Sequence, residues 1–367
     1  YTLGMKSKKI MLCGGGTGGH VFPLVEVARG IRKLDPEAII YFVGPEEFPL
    51  TSLRKEGVIV KKIIGAGKLR RYFSFAYVWE LIKLPFAFLD AFFTVFFINP
   101  SAVLGKGSYG SVLPILCAKL LGKKIILHES DAIPGLANRF LSKFTKNIAI
   151  AFEGARKFFP DKNIFVVGNP VRLKYIGLTK KEAEDILEFP SDSRIVFISG
   201  GSQGAQKINS AVLESLDKLL EDYDIIWSVG ASNYESLRQA AEGKSHLKLS
   251  ALLSEKELAA AYTLCDVAIG RAGAGTIFEI SAYGKPSILI PLERKGGDQP
   301  FNAKAYADAG ASIILSEHEL SPESLISAIN AILGSEAVYE DMAEKAKKFA
   351  KIEAGDQLAQ ILVNLSG

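Results

Sequence analysis

Three glycine-rich segments constrain this chain more than any other feature, because each follows a short apolar run and precedes a stretch of helical pattern. They read Gly14-Gly15-Gly16-Thr17-Gly18-Gly19-His20, Gly200-Gly201-Ser202-Gln203-Gly204-Ala205 and Gly270-Arg271-Ala272-Gly273-Ala274-Gly275-Thr276. Glycine lets backbone N–H groups approach an anion closely, and a helix starting there adds unpaired donors and the positive end of its dipole. Such loops hold phosphate. They also close strand-to-helix turns, so the chain is expected to alternate parallel strands with helices. Because the three loops are divided between two halves, two phosphorylated ligands are expected.

At 367 residues, with 48% hydrophobic and 23% charged content, the chain is long enough for two cores. Strand-like runs at residues 8–13, 38–43, 58–64, 101–104 and 124–128 are separated by helical stretches, which predicts a doubly wound α/β domain. After Gly168-Asn169-Pro170 the pattern restarts, with strand-like runs at 194–199, 224–229, 246–249, 265–269 and 286–291. The expected organisation is an N-terminal domain over 5–168, a second Rossmann-like domain over 169–350, and a C-terminal helix within 351–367 that can pack back on the first. Residues 1–4 precede Met5 and lack the apolar core of a signal peptide, so they are taken as a remnant. Cys13, Cys117 and Cys265 lie in apolar runs and read as reduced core thiols, which fits a cytoplasmic setting.

Charge divides with the halves. Residues 1–168 carry 24 Lys+Arg against 12 Asp+Glu, whereas the remainder carries 20 against 28. A basic first half fits an anionic surface or a polyanionic substrate. Residues 72–98 (YFSFAYVWELIKLPFAFLDAFFTVFFI) are strongly aromatic, but Glu80, Lys83, Pro85 and Asp90 interrupt the run needed to span a bilayer. With Lys68, Arg70 and Arg71 just upstream, the segment reads either as core or as an interfacial helix on lipid phosphates.

Several side chains can carry chemistry. His20 closes the first loop at a helix mouth, where the dipole keeps an imidazole neutral; it serves either as a general base or as a brace for the loop. Glu279, one helical turn beyond Thr276, can accept both hydrogen bonds of a ribose diol or simply sit at a helix start. Arg172 enters the second half and can clamp a diphosphate leaving group or pair with a surface acid. Asp222 and Asp224 have a chelating spacing but lie away from the glycine loops, and the four histidines are scattered, so no metal site is expected.

Seven motifs in order resemble the MurG family, the bacterial N-acetylglucosamine transferases of peptidoglycan synthesis. They are GGGTGGHVFP (14–23), GKGSYGS (105–111), HESDAIPGLANR (128–139), GNPVR (168–172), GGSQGAQKIN (200–209), GRAGAGTIFEISAYGKP (270–286) and DQPFNA (298–303). The resemblance implies a GT-B architecture, two Rossmann-like doubly wound domains facing a central cleft. It implies an inverting, cofactor-free transferase that moves N-acetylglucosamine from UDP-GlcNAc to the 4-hydroxyl of a lipid-linked muramyl-pentapeptide, docked on the anionic inner leaflet of the plasma membrane. For the acceptor it implicates Thr17, Gly18, Gly19, Gly107, Ser108, Tyr109 and Asp131, with His20 as base. For the donor it implicates Thr17, Gly18, Gly19 and Asp131 again, together with Arg172, Ser202, Gln203, Ala274, Gly275, Thr276, Ile277, Phe278, Glu279 and Gln299, and main chain near Glu255 for the uracil. Asp131 stands where the family usually has asparagine, which puts a negative charge near an anionic acceptor unless His128 or Arg139 offsets it. Asp298 and Ala272 are departures as well.

The competing enzymes are a related transferase with another lipid acceptor, a UDP-sugar epimerase and a dinucleotide-dependent oxidoreductase. The last is disfavoured because no clean G-x-G-x-x-G with a distal acid is present. A non-catalytic nucleotide-sugar sensor is the remaining alternative. Nucleic acid is not an expected partner, since the basic residues lack the interleaved pattern of a single-strand binder.

Overall fold

The structure, a computed structural model, describes residues 7–45, 50–63, 75–190, 192–201, 205–294 and 297–367, without the side chains of residues 75–82. It contains two compact units. The first runs to Val171 and resumes over Ile352–Gly367; the second spans Arg172–Lys351.

The first unit is built on seven parallel strands: β1 (Lys9–Cys13), β2 (Ile39–Gly44), β3 (Ile59–Lys62), β4 (Ala102–Gly105), β5 (Lys124–Glu129), β6 (Asn147–Ile150) and β7 (Asn163–Val166). Their spatial order is β3-β2-β1-β4-β5-β6-β7. The central strands are buried on both faces, as their apolar sequences require; IMLC in β1 and AVL in β4 are wholly inside. One face is covered by the helix Gly18–Leu34 and by the helix Ala354–Ser366, whose Leu358, Ala359 and Leu362 join the same core as Ile31, Ile40 and Leu104. The two helices approach so closely that a Cβ on Gly30 would stand 2.8 Å from that of Ala359. The other face is covered in part by the long helix Phe75–Ile98, which buries Ala91, Val95 and Ile98 against Met11, Val103 and Ile125.

The second unit repeats the plan with β8 (Ile195–Ser199), β9 (Asp224–Ser228), β10 (Leu247–Ser250), β11 (Val267–Gly270), β12 (Ser287–Leu289) and β13 (Ser312–Ile314), in the order β10-β9-β8-β11-β12-β13, all parallel. Its core runs from Val196 and Trp227 to Ile329 and Ile332.

In both sheets the strand order reverses beside the first strand. The chain winds outward from β1 through β2 and β3, then crosses back to β4; it does the same from β8. At such a switch the two neighbouring loops leave in opposite directions and open a crevice at the carboxyl ends of the strands. The first and third glycine loops lie there, after β1 and β11, as do Gly200 and Gly201 of the second after β8, and GKGSYGS lies there after β4. Among the described residues no helix is long and apolar enough to cross a membrane.

Candidate functional site

The switch point of the first unit is formed by residues 14–17 after β1 and residues 106–108 after β4. Gly16 has φ +94° and lies against the Tyr109 ring, where a Cβ would come within 3.1 Å of Cε1. Thr17 caps the helix Gly18–Leu34 in extended conformation, Gly18 and Gly19 form its open first turn, and His20 follows. The Thr17 hydroxyl lies 2.9 Å from His20 Nδ1, a contact that fixes the ring orientation. Across the switch, Gly107 takes φ +80° and packs so tightly on Asn138 that a Cβ would land on its side-chain amide. Ser108 then caps the helix Tyr109–Leu120; its hydroxyl is buried and finds no partner among the described residues.

Beneath these loops lies a buried polar cluster that sequence reasoning did not assemble. Lys106 is 2% exposed and donates from Nζ to Asn169 Oδ1 at 3.1 Å. Burial pulls its pKa down to about 8, against the upward pull of Asp131 and then Glu129. Glu129 is raised by burial, opposed by the Asp131 N–H, the Asn138 amide, Lys106 and the Gly135 N–H. Its two oxygens are occupied by Asp131 N at 3.0 Å, Gly135 N at 3.1 Å and Asn138 Nδ2 at 2.9 Å, so Glu129 shapes the 129–138 loop. His128 is completely buried, 2.9 Å from the Gly168 carbonyl, and burial together with Lys106 holds its pKa well below the usual value. It is therefore neutral and cannot offset Asp131. The cation set against Asp131 in this cluster is Lys106, which corrects the expectation from sequence. Its only signal there was a lysine between two glycines of a phosphate-type loop.

In the second unit the switch point carries Arg172 and Glu279, 107 positions apart and joined by a 2.8 Å ion pair from Nε to Oε1. The side chains are 20% and 11% exposed, so most of the pair is shielded from water. Glu279 Oε2 makes no hydrogen bond among the described residues. Glu279 sits on the helix Ala274–Ala282, which starts after Gly273 and presents the N–H groups of Ala274, Gly275 and Thr276 at its open end. The side chains of Ile277 and Phe278 are buried in the core, Phe278 packing on Phe349 with ring centres 5.4 Å apart, which leaves only their main chain to meet a ligand. Tyr262 and Tyr283 stack at 5.3 Å, and the buried Tyr283 hydroxyl finds no hydrogen-bond partner among the described residues. Glu255 opens the helix Glu255–Leu264, where Ser254 and Glu257 close a capping box. Gln299 opens the helix Gln299–Asp308 and accepts from Leu292 N at 2.9 Å through Oε1, with Asp298 at the cap. Ser202 and Gln203 lie outside the described residues. No cluster of metal-ligating side chains occurs among the described residues.

Comparison with known proteins agrees with both halves. The glycosyltransferase family 28 N-terminal domain matches residues 10–150, and the family 28 C-terminal domain matches residues 195–358. A protein of Alkaliphilus metalliredigens named UDP-N-acetylglucosamine–N-acetylmuramyl-(pentapeptide) pyrophosphoryl-undecaprenol N-acetylglucosamine transferase is 32% identical over 97% of this chain and 99% of its own length. A protein of the same name from Caldicellulosiruptor saccharolyticus is 35% identical over 96% of each chain. The crystal structure of Acinetobacter baumannii MurG superposes with a TM-score of 0.75 at 26% identity, covering 97% of this chain and 99% of that one. Two switch points dressed with these loops, in a chain that matches such relatives from end to end, place it in the MurG family of glycosyltransferases.

Proposed function

We propose that this chain transfers N-acetylglucosamine from UDP-GlcNAc to the 4-hydroxyl of the muramyl sugar on a lipid-linked, diphosphate-bearing pentapeptide acceptor. Family membership supports the reaction, and the observation that carries the assignment of roles is the Arg172–Glu279 pair beside an open helix N-terminus. Glu279 Oε2 receives a ribose hydroxyl while Oε1 keeps Arg172 in place. The N–H groups of Ala274–Thr276 and the helix dipole stabilise the diphosphate as charge develops on it. The acceptor oxygen bonds to the anomeric carbon as the bond from that carbon to UDP breaks, which inverts the configuration. The hydroxyl proton goes to His20 Nε2. That role requires the other ring proton on Nδ1, donated to Thr17 Oγ1, the arrangement that the 2.9 Å contact supports.

We further propose that the first unit rests on an anionic membrane surface, at the cytoplasmic face. The helix Phe75–Ile98 exposes Phe93, Phe96, and above all Phe86 and Phe97, the last two at 71% and 75%. Phe93 and Phe97 stack at 6.4 Å, a contiguous apolar ridge rather than scattered rings. Beside its C-terminal end, where Lys123 hydrogen-bonds Asn99, a cavity of about 280 Å³ is lined by Lys119, Lys123, Lys124, Lys143, Lys146 and Lys162. Aromatic rings flanked by lysines suit the boundary between acyl chains and anionic headgroups.

The test is transfer of labelled N-acetylglucosamine to a short-chain lipid-linked muramyl-pentapeptide, run with a metal chelator present. Transfer by the wild type and its loss in Glu279→Ala are expected. An inactive wild type, or strong transfer by Glu279→Ala, overturns the assignment.

A further inference from the structure

We propose that Lys106 is a positioning residue of the acceptor half-site, its buried ammonium balancing Asp131 and Glu129 so that the net charge beneath the Gly107–Tyr109 loop sets how well the diphosphate-bearing acceptor binds. This inference rests on the function proposed above.

Lysine is seldom fully buried, because removing an ammonium from water is costly unless a carboxylate meets it. Lys106 is buried at the carboxyl end of β4, on the rim of the switch point, with its own N–H bonded to the Cys13 carbonyl at 2.8 Å. Among the described residues its side chain makes one hydrogen bond, to the neutral Asn169, and no direct ion pair. A buried cation without an anionic contact partner among the described residues acts on charge at a distance. The charges it acts on are Asp131 and Glu129. Glu129 is locked inside its own loop by three hydrogen bonds, whereas Asp131 reaches the surface. The trio sums to one negative charge with Lys106 protonated and to two without it. A diphosphate approaching Ser108 and the helix behind it feels that difference directly. The Ser108 hydroxyl, 5% exposed and without a partner, is the independent sign that this floor meets a ligand.

Titration sharpens the expectation. The ionisable groups facing Lys106 are Glu129, Asp131 and His128, with the Cys13 thiol on the neighbouring strand. His128 is neutral, and burial pushes the thiol up so that it stays protonated. Lys106 therefore loses its charge as pH rises through about 8.

The experiment measures KM for a short-chain acceptor, with KM for UDP-GlcNAc as internal control, in wild type, Lys106→Met, Asp131→Asn and the double variant, from pH 7 to 9.5. Lys106→Met is expected to raise acceptor KM about tenfold at pH 7, one uncompensated charge acting through protein. Asp131→Asn lowers it, and the double variant returns several-fold toward the wild type. The rise of wild-type acceptor KM above pH 8 vanishes when Lys106 is methionine. Donor KM stays put in Lys106→Met. If Lys106→Met does not fold, the Asp131→Asn comparison and the wild-type pH profile still decide. An acceptor KM indifferent to these charges, or a double variant no better than Lys106→Met, overturns this inference and leaves the transferase intact. A wild type without transfer overturns the function itself.

Discussion

Removing the Glu279 carboxylate perturbs two things at once, the fold of the second unit and its grip on the donor. At a guanidinium-to-carboxylate charge separation of about 4 Å and an effective dielectric near 20, the attraction to Arg172 is about 4 kcal/mol. Breaking a buried pair from one side costs about 3–5 kcal/mol, and the one-fifth exposure of Arg172 reduces this to about 2–3 kcal/mol. For a unit of this size each kcal/mol moves Tm by about 2–4 °C, so Glu279→Ala is expected to melt about 5–10 °C lower. UDP-GlcNAc at a hundred times Kd stabilises the wild type by about 2.7 kcal/mol. A lost charge-assisted hydrogen bond weakens binding at least tenfold, which cuts that gain roughly in half or more. Glu279→Gln, which keeps an oxygen for Arg172 but not its charge, should fall between. Melts by differential scanning calorimetry, with and without UDP-GlcNAc, read both effects. An alanine variant that melts with the wild type refutes the structural half of the reasoning. One that melts lower but keeps the full donor shift refutes the ribose contact.

Three further outcomes follow from particular geometries. Gly107→Ala combines a left-handed backbone with a collision on the Asn138 amide and should destabilise by about 2–4 kcal/mol while raising acceptor KM; chemical denaturation and steady-state kinetics check both. His128 has a folded pKa below its unfolded value near 6.5, so the unfolded chain binds the extra proton and stability falls on acidification, by about 1.4 kcal/mol per pH unit below about 6.5. Glu129, raised by burial, acts in the opposite sense at lower pH, so the measurement is the wild-type minus His128→Gln difference in urea melts from pH 7 to 5, which should shrink with acid. Phe93→Ser with Phe97→Ser should lower binding to phosphatidylglycerol vesicles about a hundredfold in sedimentation without changing the melt, since these rings are exposed before docking.

The sequence carried the two-sheet plan because glycine punctuates each strand-to-helix turn at a switch point, and because β1, β4, β8 and β11 are short, unbroken apolar runs. What escaped it were β6, β7 and β13, of four, four and three residues, on the outer side of each sheet where alternation with polar residues is weak. Their neighbours, not their composition, make them strands. The donor pair illustrates another limit. Arg172 and Glu279 each suggested a ligand role, yet their mutual contact spans 107 positions and appears only when β11 brings the helix Ala274–Ala282 to the start of the unit. Ile277 and Phe278 were carried along with their motif, and their apolar side chains already pointed to the core they occupy. Lys106 was hidden by the opposite effect: a lysine in a glycine loop reads as exposed, and only the crowding of Asn169, Glu129 and Asp131 around it reveals otherwise.

The charge imbalance between the halves takes on a specific meaning once each lysine has a position. The diphosphate site proposed for the second unit needs no cationic surplus: its donors would be short-range backbone N–H groups, and its guanidinium is already matched by Glu279, so that half can carry 28 acids against 20 bases and still hold an anion. In the first unit the six cavity lysines cluster around the amino ends of β5, β6 and β7, the opposite edge of the sheet from the glycine loops. Lys106, by contrast, is buried at the carboxyl end of β4, beside the Gly107–Tyr109 segment. The cavity lysines therefore make a positive surface beside the aromatic helix, and its contribution should be screened within about 8–10 Å at physiological salt. Salt should accordingly weaken vesicle binding steeply while leaving KM for a soluble, short-chain acceptor nearly flat, because the buried charges of Lys106, Glu129 and Asp131 are screened far less. If both fell together with salt, the surface lysines and the acceptor site would be one electrostatic system, and the separation drawn from their positions at opposite strand ends would fail.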